Sequence, residues 1–156
     1  MATPTSPVLL MVEDDPNDVM LLKRALRKEH VTLPIEVVSD GQAAVQYLDG
    51  AGPYSDRNRY PLPCLILMDL KLPRMNGLEI LAWLRSHPEL KDTPVFMLTS
   101  SGEPEDRREA LKQGVEAYRV KPVALEELMK VAREIRHEAQ EHCGVAEPCP
   151  DSKTAK

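Results

Sequence analysis

The sequence predicts a single α/β domain in three layers, with five parallel strands covered on both faces by five helices. Five short apolar runs alternate with longer stretches whose apolar residues recur at helical spacing. Most of the runs are continuous rather than alternating, as expected for strands buried on both faces. Four of them also end on charged or hydroxyl-bearing residues, which concentrates chemistry at one edge of the sheet.

The first run, Val8 to Val12, stops at Glu13-Asp14-Asp15. Asp15-Pro16 reads as a helix N-cap followed by proline at the first helical position. The first helix extends to about Glu29, with Val19, Leu22, Ala25 and Leu26 on one stripe. Ile35 to Val38 forms the second strand and Gly41 to about Leu48 the second helix. Residues 50–63 hold Gly50, Gly52, Pro53, Pro61 and Pro63, a loop composition. Cys64 to Met68 is the third strand, ending at Asp69. Pro73 blocks immediate continuation, and Asn76-Gly77 opens a third helix whose core face is Gly77, Ile80, Leu81 and Leu84. Val95 to Leu98 is the fourth strand and runs into Thr99-Ser100-Ser101. Glu103-Pro104 starts the fourth helix and Gly114 stops it. Ala117 to Val120 is the fifth strand, ending at Lys121-Pro122. The fifth helix places Leu125, Leu128, Ala132, Ile135 and Ala139 on one face. The expected organisation is an N-terminal extension at 1–7, one domain at 8–142 and a disordered polar tail at 143–156.

Composition narrows the function classes. Of 156 residues, 42% are apolar and 29% charged, enough for a core that needs no staple. A formal net charge of −5 argues against direct nucleic-acid binding. No apolar stretch reaches membrane-spanning length, and Met1 to Pro7 has no secretory pattern. Three cysteines are an odd number and Cys64 lies in an apolar run, so a reduced, cytoplasmic setting is expected. Cys143 and Cys149 fall in the polar tail and receive no function.

The chemistry-bearing residues sit at strand ends: Glu13 and Asp14 after the first, Asp69 after the third, Thr99 at the fourth, Lys121 after the fifth. Open parallel sheets bind ligands outside the carboxyl ends of their strands, where the strand order reverses. In the order 2-1-3-4-5 that point lies between strands one and three, and it gathers Glu13, Asp14 and Asp69. Three carboxylates repel one another, and a hard divalent cation such as Mg2+ relieves the repulsion. Lys121 adds a positive charge and Thr99 a hydroxyl donor. These are the parts needed to form and hold an acyl phosphate on a carboxylate nucleophile. Asp69, alone on the central strand, is the nucleophile candidate.

The segments Val-Glu-Asp-Asp at 12–15, Ser-Asp-Gly at 39–41, Met-Asp-Leu-Lys-Leu-Pro at 68–73, Asn-Gly at 76–77, Leu-Thr-Ser at 98–100 and Lys-Pro at 121–122 follow in order. Together they resemble the receiver domain of two-component response regulators, the CheY-like family, over about Val8 to Gln140. The resemblance implies a flavodoxin-like doubly wound (βα)5 sandwich with strand order 2-1-3-4-5. It implies Asp69 as phosphoacceptor, and Mg2+ on Asp14, Asp69 and the backbone carbonyl of Lys71, with Glu13 reaching the ion through water. It implies Thr99 and Lys121 on the phosphoryl group, a cis Lys121-Pro122 bond, and Tyr118 as an aromatic switch that turns inward as Thr99 moves. It also implies that Ser100 is the small residue the phosphoryl site requires and that Lys71 and Ser101 occupy positions that tune dephosphorylation.

Further expectations follow from the resemblance. The donor is a sensor histidine kinase, with phytochrome-type or hybrid kinases favoured by the Pro-rich loop and the Leu-Pro-Arg-Met-Asn-Gly segment. A homodimer through helix four, strand five and helix five is expected, as is a stand-alone receiver with no output domain. The chain is not read as an enzyme beyond its own phosphorylation and dephosphorylation.

Taken singly, these residues have plainer readings: Asp15 as a helix cap, Lys121 as a surface lysine, Tyr118 as packing. A receiver-like scaffold that ignores phosphate is the alternative, and the complete residue set argues against it. A haloacid-dehalogenase-type phosphatase needs a second Asp two residues after the first, where this chain has Lys71. Gly50-Ala51-Gly52 lacks the third glycine and the preceding strand of a dinucleotide loop. His137 and His142 are five apart, off one helix face, so they do not form a zinc-protease pair.

Overall fold

The computed structural model describes residues 7–144. Cys149, most of the expected N-terminal extension and the tail beyond Gly144 lie outside the described residues. The elements are β1 (Leu9–Val12), α1 (Pro16–Lys28), β2 (Ile35–Val38), α2 (Gly41–Asp49), a 3-10 turn (Gly52–Tyr54), β3 (Leu65–Met68), α3 (Gly77–Arg85), β4 (Val95–Thr99), α4 (Pro104–Lys112), β5 (Ala117–Val120) and α5 (Leu125–Cys143). The sheet is parallel in the order β2-β1-β3-β4-β5. The expected fold class and strand order both hold. Among the described residues, no helix is long and apolar enough to cross a membrane.

Local chemistry sets the helix ends. Asp15 accepts from the Asn17 N–H at 2.9 Å, and Pro16 opens α1. Asp40 caps α2 through the Ala43 N–H at 2.7 Å. Asn76 and Glu79 form a reciprocal capping box at the start of α3. Gly50 and Gly144 end α2 and α5 in the left-handed conformation that a side chain disfavours.

Strand residues alternate between two cores. Leu10, Val12, Ile66, Met68, Val95 and Met97 face α2, α3 and α4. Leu9, Met11, Leu65, Leu67, Phe96 and Leu98 face α1 and α5. Every residue of β1, β3 and β4 is buried, which is why these runs are continuously apolar until Thr99. On α5 the buried stripe is Val131, Ala132, Ile135, Ala139 and Cys143. Leu125, expected on that stripe, is 59% exposed. It opens the helix, and burial begins only with Leu128 and Met129, which pack partly against the core.

The Pro-rich loop is held by one side chain. The Arg57 guanidinium donates to the carbonyls of Tyr47 (2.8 Å), Leu48 (2.8 Å) and Tyr60 (3.1 Å), closing the end of α2 onto the loop. Tyr47, Tyr54 and Tyr60 pack as a tilted and edge-on cluster, with the Tyr47 hydroxyl donating to Pro61 O at 2.9 Å.

The cysteine reading needs correction. Cys143, assigned to a tail, is the last residue of α5, and it forms a disulfide with Cys64, 79 residues earlier. The helix runs long enough to return to the N-terminal edge of β3. There the Cys64 N–H donates to Val8 O at 3.0 Å. Two of the three cysteines are therefore paired, contrary to the expectation of free thiols.

A crosslink across so long a loop stabilises mainly by restricting the unfolded chain. Reduction is expected to lower the unfolding free energy by about 2–4 kcal/mol. Urea denaturation with and without reductant reads this directly. The Cys64→Ala variant should show no effect of reductant.

Candidate functional site

Register assembles the site. Val12 pairs with Met68, Met68 with Met97, and Thr99 with Val120. Glu13, Asp69, Thr99 and Lys121 therefore leave the sheet at one edge. Backbone bonds continue the ladder through them: Glu13 N–H to Val38 O at 3.0 Å, Asp69 N–H to Val12 O at 3.0 Å, and Lys121 N–H to Thr99 O at 2.7 Å.

The carboxylates differ in exposure. Glu13 and Asp69 are buried, while Asp14 is exposed. Oxygen atoms of all three lie within 4.8 Å of one another. The Asp69 carboxylate accepts from the Lys71 N–H through Oδ1 (3.2 Å) and from Lys121 Nζ through Oδ2 (2.8 Å). Glu13 Oε2 accepts from the Asp15 N–H at 3.1 Å.

Lys121 binds more carboxylates than sequence reasoning assigned to it. Its ammonium contacts Glu13 Oε1 (2.8 Å), Asp69 Oδ2 (2.8 Å) and Asp18 Oδ2 (2.7 Å). Burial alone would lower the Lys121 pKa, but the hydrogen bonds to Asp18, Asp69 and Glu13 outweigh it, and the net shift is upward. Glu13 is also pushed up, chiefly by burial, with the Asp69 charge adding to the effect and Lys121 opposing it. The two shifts are compatible. One ammonium serves three carboxylates, and for Glu13 the lysine does not cancel the effect of burial.

Asp18 was missed for an identifiable reason. It stands three residues after the cap Asp15, where an acid in the first turn is ordinary helix-end chemistry. Its contact with Lys121 spans 103 residues and leaves no local signal.

Thr99 is fully buried, and its Oγ1 accepts from the Ser101 N–H at 3.2 Å. Tyr118 is buried and donates its hydroxyl to Ser101 O at 2.9 Å, with burial pushing its pKa up. Ser101 Oγ in turn donates to Asp106 Oδ2 on α4 at 2.6 Å. Ser100 and the Lys71 side chain are exposed. The Lys121-Pro122 bond, expected cis, is trans, as are all described peptide bonds. Trans is the default even before proline, and from it Lys121 already reaches three carboxylates. Outside this site, His142 Nε2 lies 3.2 Å from a Glu138 carboxylate oxygen and 3.8 Å from one of Glu116, near the end of α5.

Two glycines let the backbone close around Asp69. A Cβ on Gly77 would lie 2.6 Å from Asp69 O, and one on Gly41 would run into the Met75 carbonyl. The Gly77 N–H bonds Leu70 O at 2.8 Å and the Gly41 N–H bonds Pro73 O at 3.3 Å, pinning the loop between β3 and α3. The trio of hard oxygen donors, two of them buried, fits a small divalent cation rather than a soft metal.

Comparison with known proteins shows the family and the fold. The model of the response regulator receiver domain matches residues 9–133. A relative from Methanothrix harundinacea, the probable methanogenesis regulatory protein FilR2, is 35% identical over 132 residues, covering 83% of this chain and 81% of its own. Among solved structures, the phosphorylated cyanobacterial phytochrome response regulator RcpA superposes with a TM-score of 0.78 at 31% identity, over 92% of this chain and 98% of its own. The Mn2+-bound response regulator Rcp1, known from Synechocystis, gives a TM-score of 0.77 at 33% identity, over 92% and 99%.

Gly41→Ala is expected to cost about 1–3 kcal/mol of stability, because backbone must move to admit the methyl group. Gly102→Ala, with open space around it, should stay within about 0.5 kcal/mol of wild type. Chemical denaturation of the pair checks this.

Proposed function

This chain belongs to the response regulator receiver family, and we propose that it is a phosphorylation switch whose Asp69 accepts a phosphoryl group from the phosphohistidine of a sensor kinase. One observation carries the reading. Asp69 is buried at the end of the central strand, held by Lys121 Nζ and the Lys71 N–H, with two further carboxylates within 4.8 Å.

In the transfer, an Asp69 carboxylate oxygen attacks phosphorus in line with the leaving imidazole. The P–N bond breaks with its electron pair returning to the ring, and an acyl phosphate forms. Glu13, Asp14, Asp69 and the Lys71 carbonyl are the groups that would hold Mg2+. When bound, the ion neutralises charge on the phosphoryl oxygens. Lys121 Nζ donates to a phosphoryl oxygen in exchange for a carboxylate. Thr99 donates to another, since its Oγ1 accepts from Ser101 and its own proton is free to give.

The output route starts at the same loop. Thr99, Ser101, Tyr118 and Asp106 are joined by hydrogen bonds. A shift of Thr99 toward phosphate therefore disturbs the seat of Tyr118 on β5 and the start of α4. A few kcal/mol of differential stabilisation suffices to exchange two such populations. Leu111, Val120, Val123 and Leu125 are exposed on α4, β5 and α5 and the segment between them. They support a homodimer or partner face there. The likeness to RcpA supports a phytochrome-type kinase as donor. A domain from residue 8 that takes in Cys143 at the end of α5, working in the cytoplasm and acting on itself rather than on external substrates, completes the reading. In that compartment the Cys64–Cys143 bond requires oxidising conditions.

Incubation with Mg2+ and acetyl phosphate, read by intact mass, should add one phosphoryl group to wild type. Asp69→Asn or a metal chelator should abolish the adduct. An unmodified wild type in the presence of a competent donor overturns the proposal.

A further inference from the structure

The Lys121 ammonium has three hydrogens and three carboxylate partners, so its donors are fully used. Two partners, Glu13 and Asp69, belong to the carboxylate trio suited to a divalent cation. The third, Asp18, does not. It reaches Lys121 from the first turn of α1 and is about one-third exposed.

A cation on the trio competes with Lys121 for the same oxygens and also repels the ammonium directly. Lys121 must then loosen from Glu13 and Asp69 without leaving the site, because phosphoryl transfer needs its charge. Asp18 is the partner outside the trio that can keep it. The geometry also leaves room for the shift: a cavity of about 50 Å³ lies beside the group, lined by Glu13, Asp18, Lys121 and Pro122 with Leu21 and Leu22. That is space for a water or for a small displacement of the lysine tip.

We propose that Asp18 is a positioning residue that retains Lys121 beside the site when a divalent cation takes Glu13 and Asp69, and so sets the cation affinity. This rests on the receiver reading above. A plainer role as an acid in the first helical turn would affect stability and leave cation binding unchanged.

The test is Mg2+ titration calorimetry on the full chain. Asp18→Asn is expected to weaken binding about fivefold, because Lys121 then clings to Glu13 and Asp69, while Asp18→Glu restores it to within about twofold. In a Lys121→Met background, Asp18→Asn should change affinity by less than about twofold. Equal affinity of Asp18→Asn and wild type overturns the proposal. So does the same loss with and without Lys121, which would mean a bare charge effect. Wild type that binds no Mg2+ and takes no phosphoryl group overturns the receiver reading itself, and this inference with it. Wild type that does both, beside an indifferent Asp18→Asn, overturns this inference alone.

Discussion

The lysine ammonium shared by Glu13, Asp18 and Asp69 is the contact on which the rest of the site depends. Parallel strands in register deliver acids from β1 and β3 to one place, and that convergence is electrostatically unfavourable. Some positive charge has to be present. Lys121 supplies it from the end of β5, and a divalent cation would supply it in the phosphorylatable state. Under the proposed function the site exchanges two cations, Lys121 and a divalent ion, over one set of oxygens. Burial pushes the Glu13 pKa up, and its hydrogen bond to Lys121 opposes that shift without cancelling it.

The two poles of the sheet do different work. At the carboxyl ends of the strands, buried charges and tight backbone turns leave little room, as Gly41 and Gly77 show. At the opposite pole the chain is clamped. Cys64 is bonded to Cys143, and Glu29 at the end of α1 pairs with Arg133 (3.2 Å) and Arg136 (3.0 Å) on α5. Arg57 closes the loop after α2 onto backbone carbonyls. Under the proposed switch, the loop from Thr99 to Ser101, to which Tyr118 is hydrogen-bonded, is the segment where a local charge change is converted into movement.

Much of this was legible because burial is written locally. Continuous apolar runs marked β1, β3 and β4, since each residue there is covered on one face or the other. Caps such as Asp15-Pro16 and Asn76-Gly77 marked helix starts through short-range hydrogen bonds. Strand ends then placed Glu13, Asp14, Asp69, Thr99 and Lys121 at one edge. What sequence reading lost was long-range pairing. Asp18 looked like a helix-end acid and Cys143 like a tail residue, because their partners lie 103 and 79 positions away. Leu125 satisfied the helical spacing yet stays exposed, since periodicity does not show where a helix first meets the sheet. The trans Lys121-Pro122 bond shows the same limit, because isomer choice depends on tertiary contacts.

The most direct test of the cation exchange is the unfolding free energy of Lys121→Met across a Mg2+ titration. Removing one member of a buried charge group costs about 3–5 kcal/mol, and the residual exposure of Lys121, 18%, favours the lower end. The account predicts that Lys121→Met is about 3 kcal/mol less stable than wild type without Mg2+. It also predicts that the gap closes as Mg2+ is added, because the ion takes over the charge compensation. A gap that stays constant at every Mg2+ concentration would contradict it.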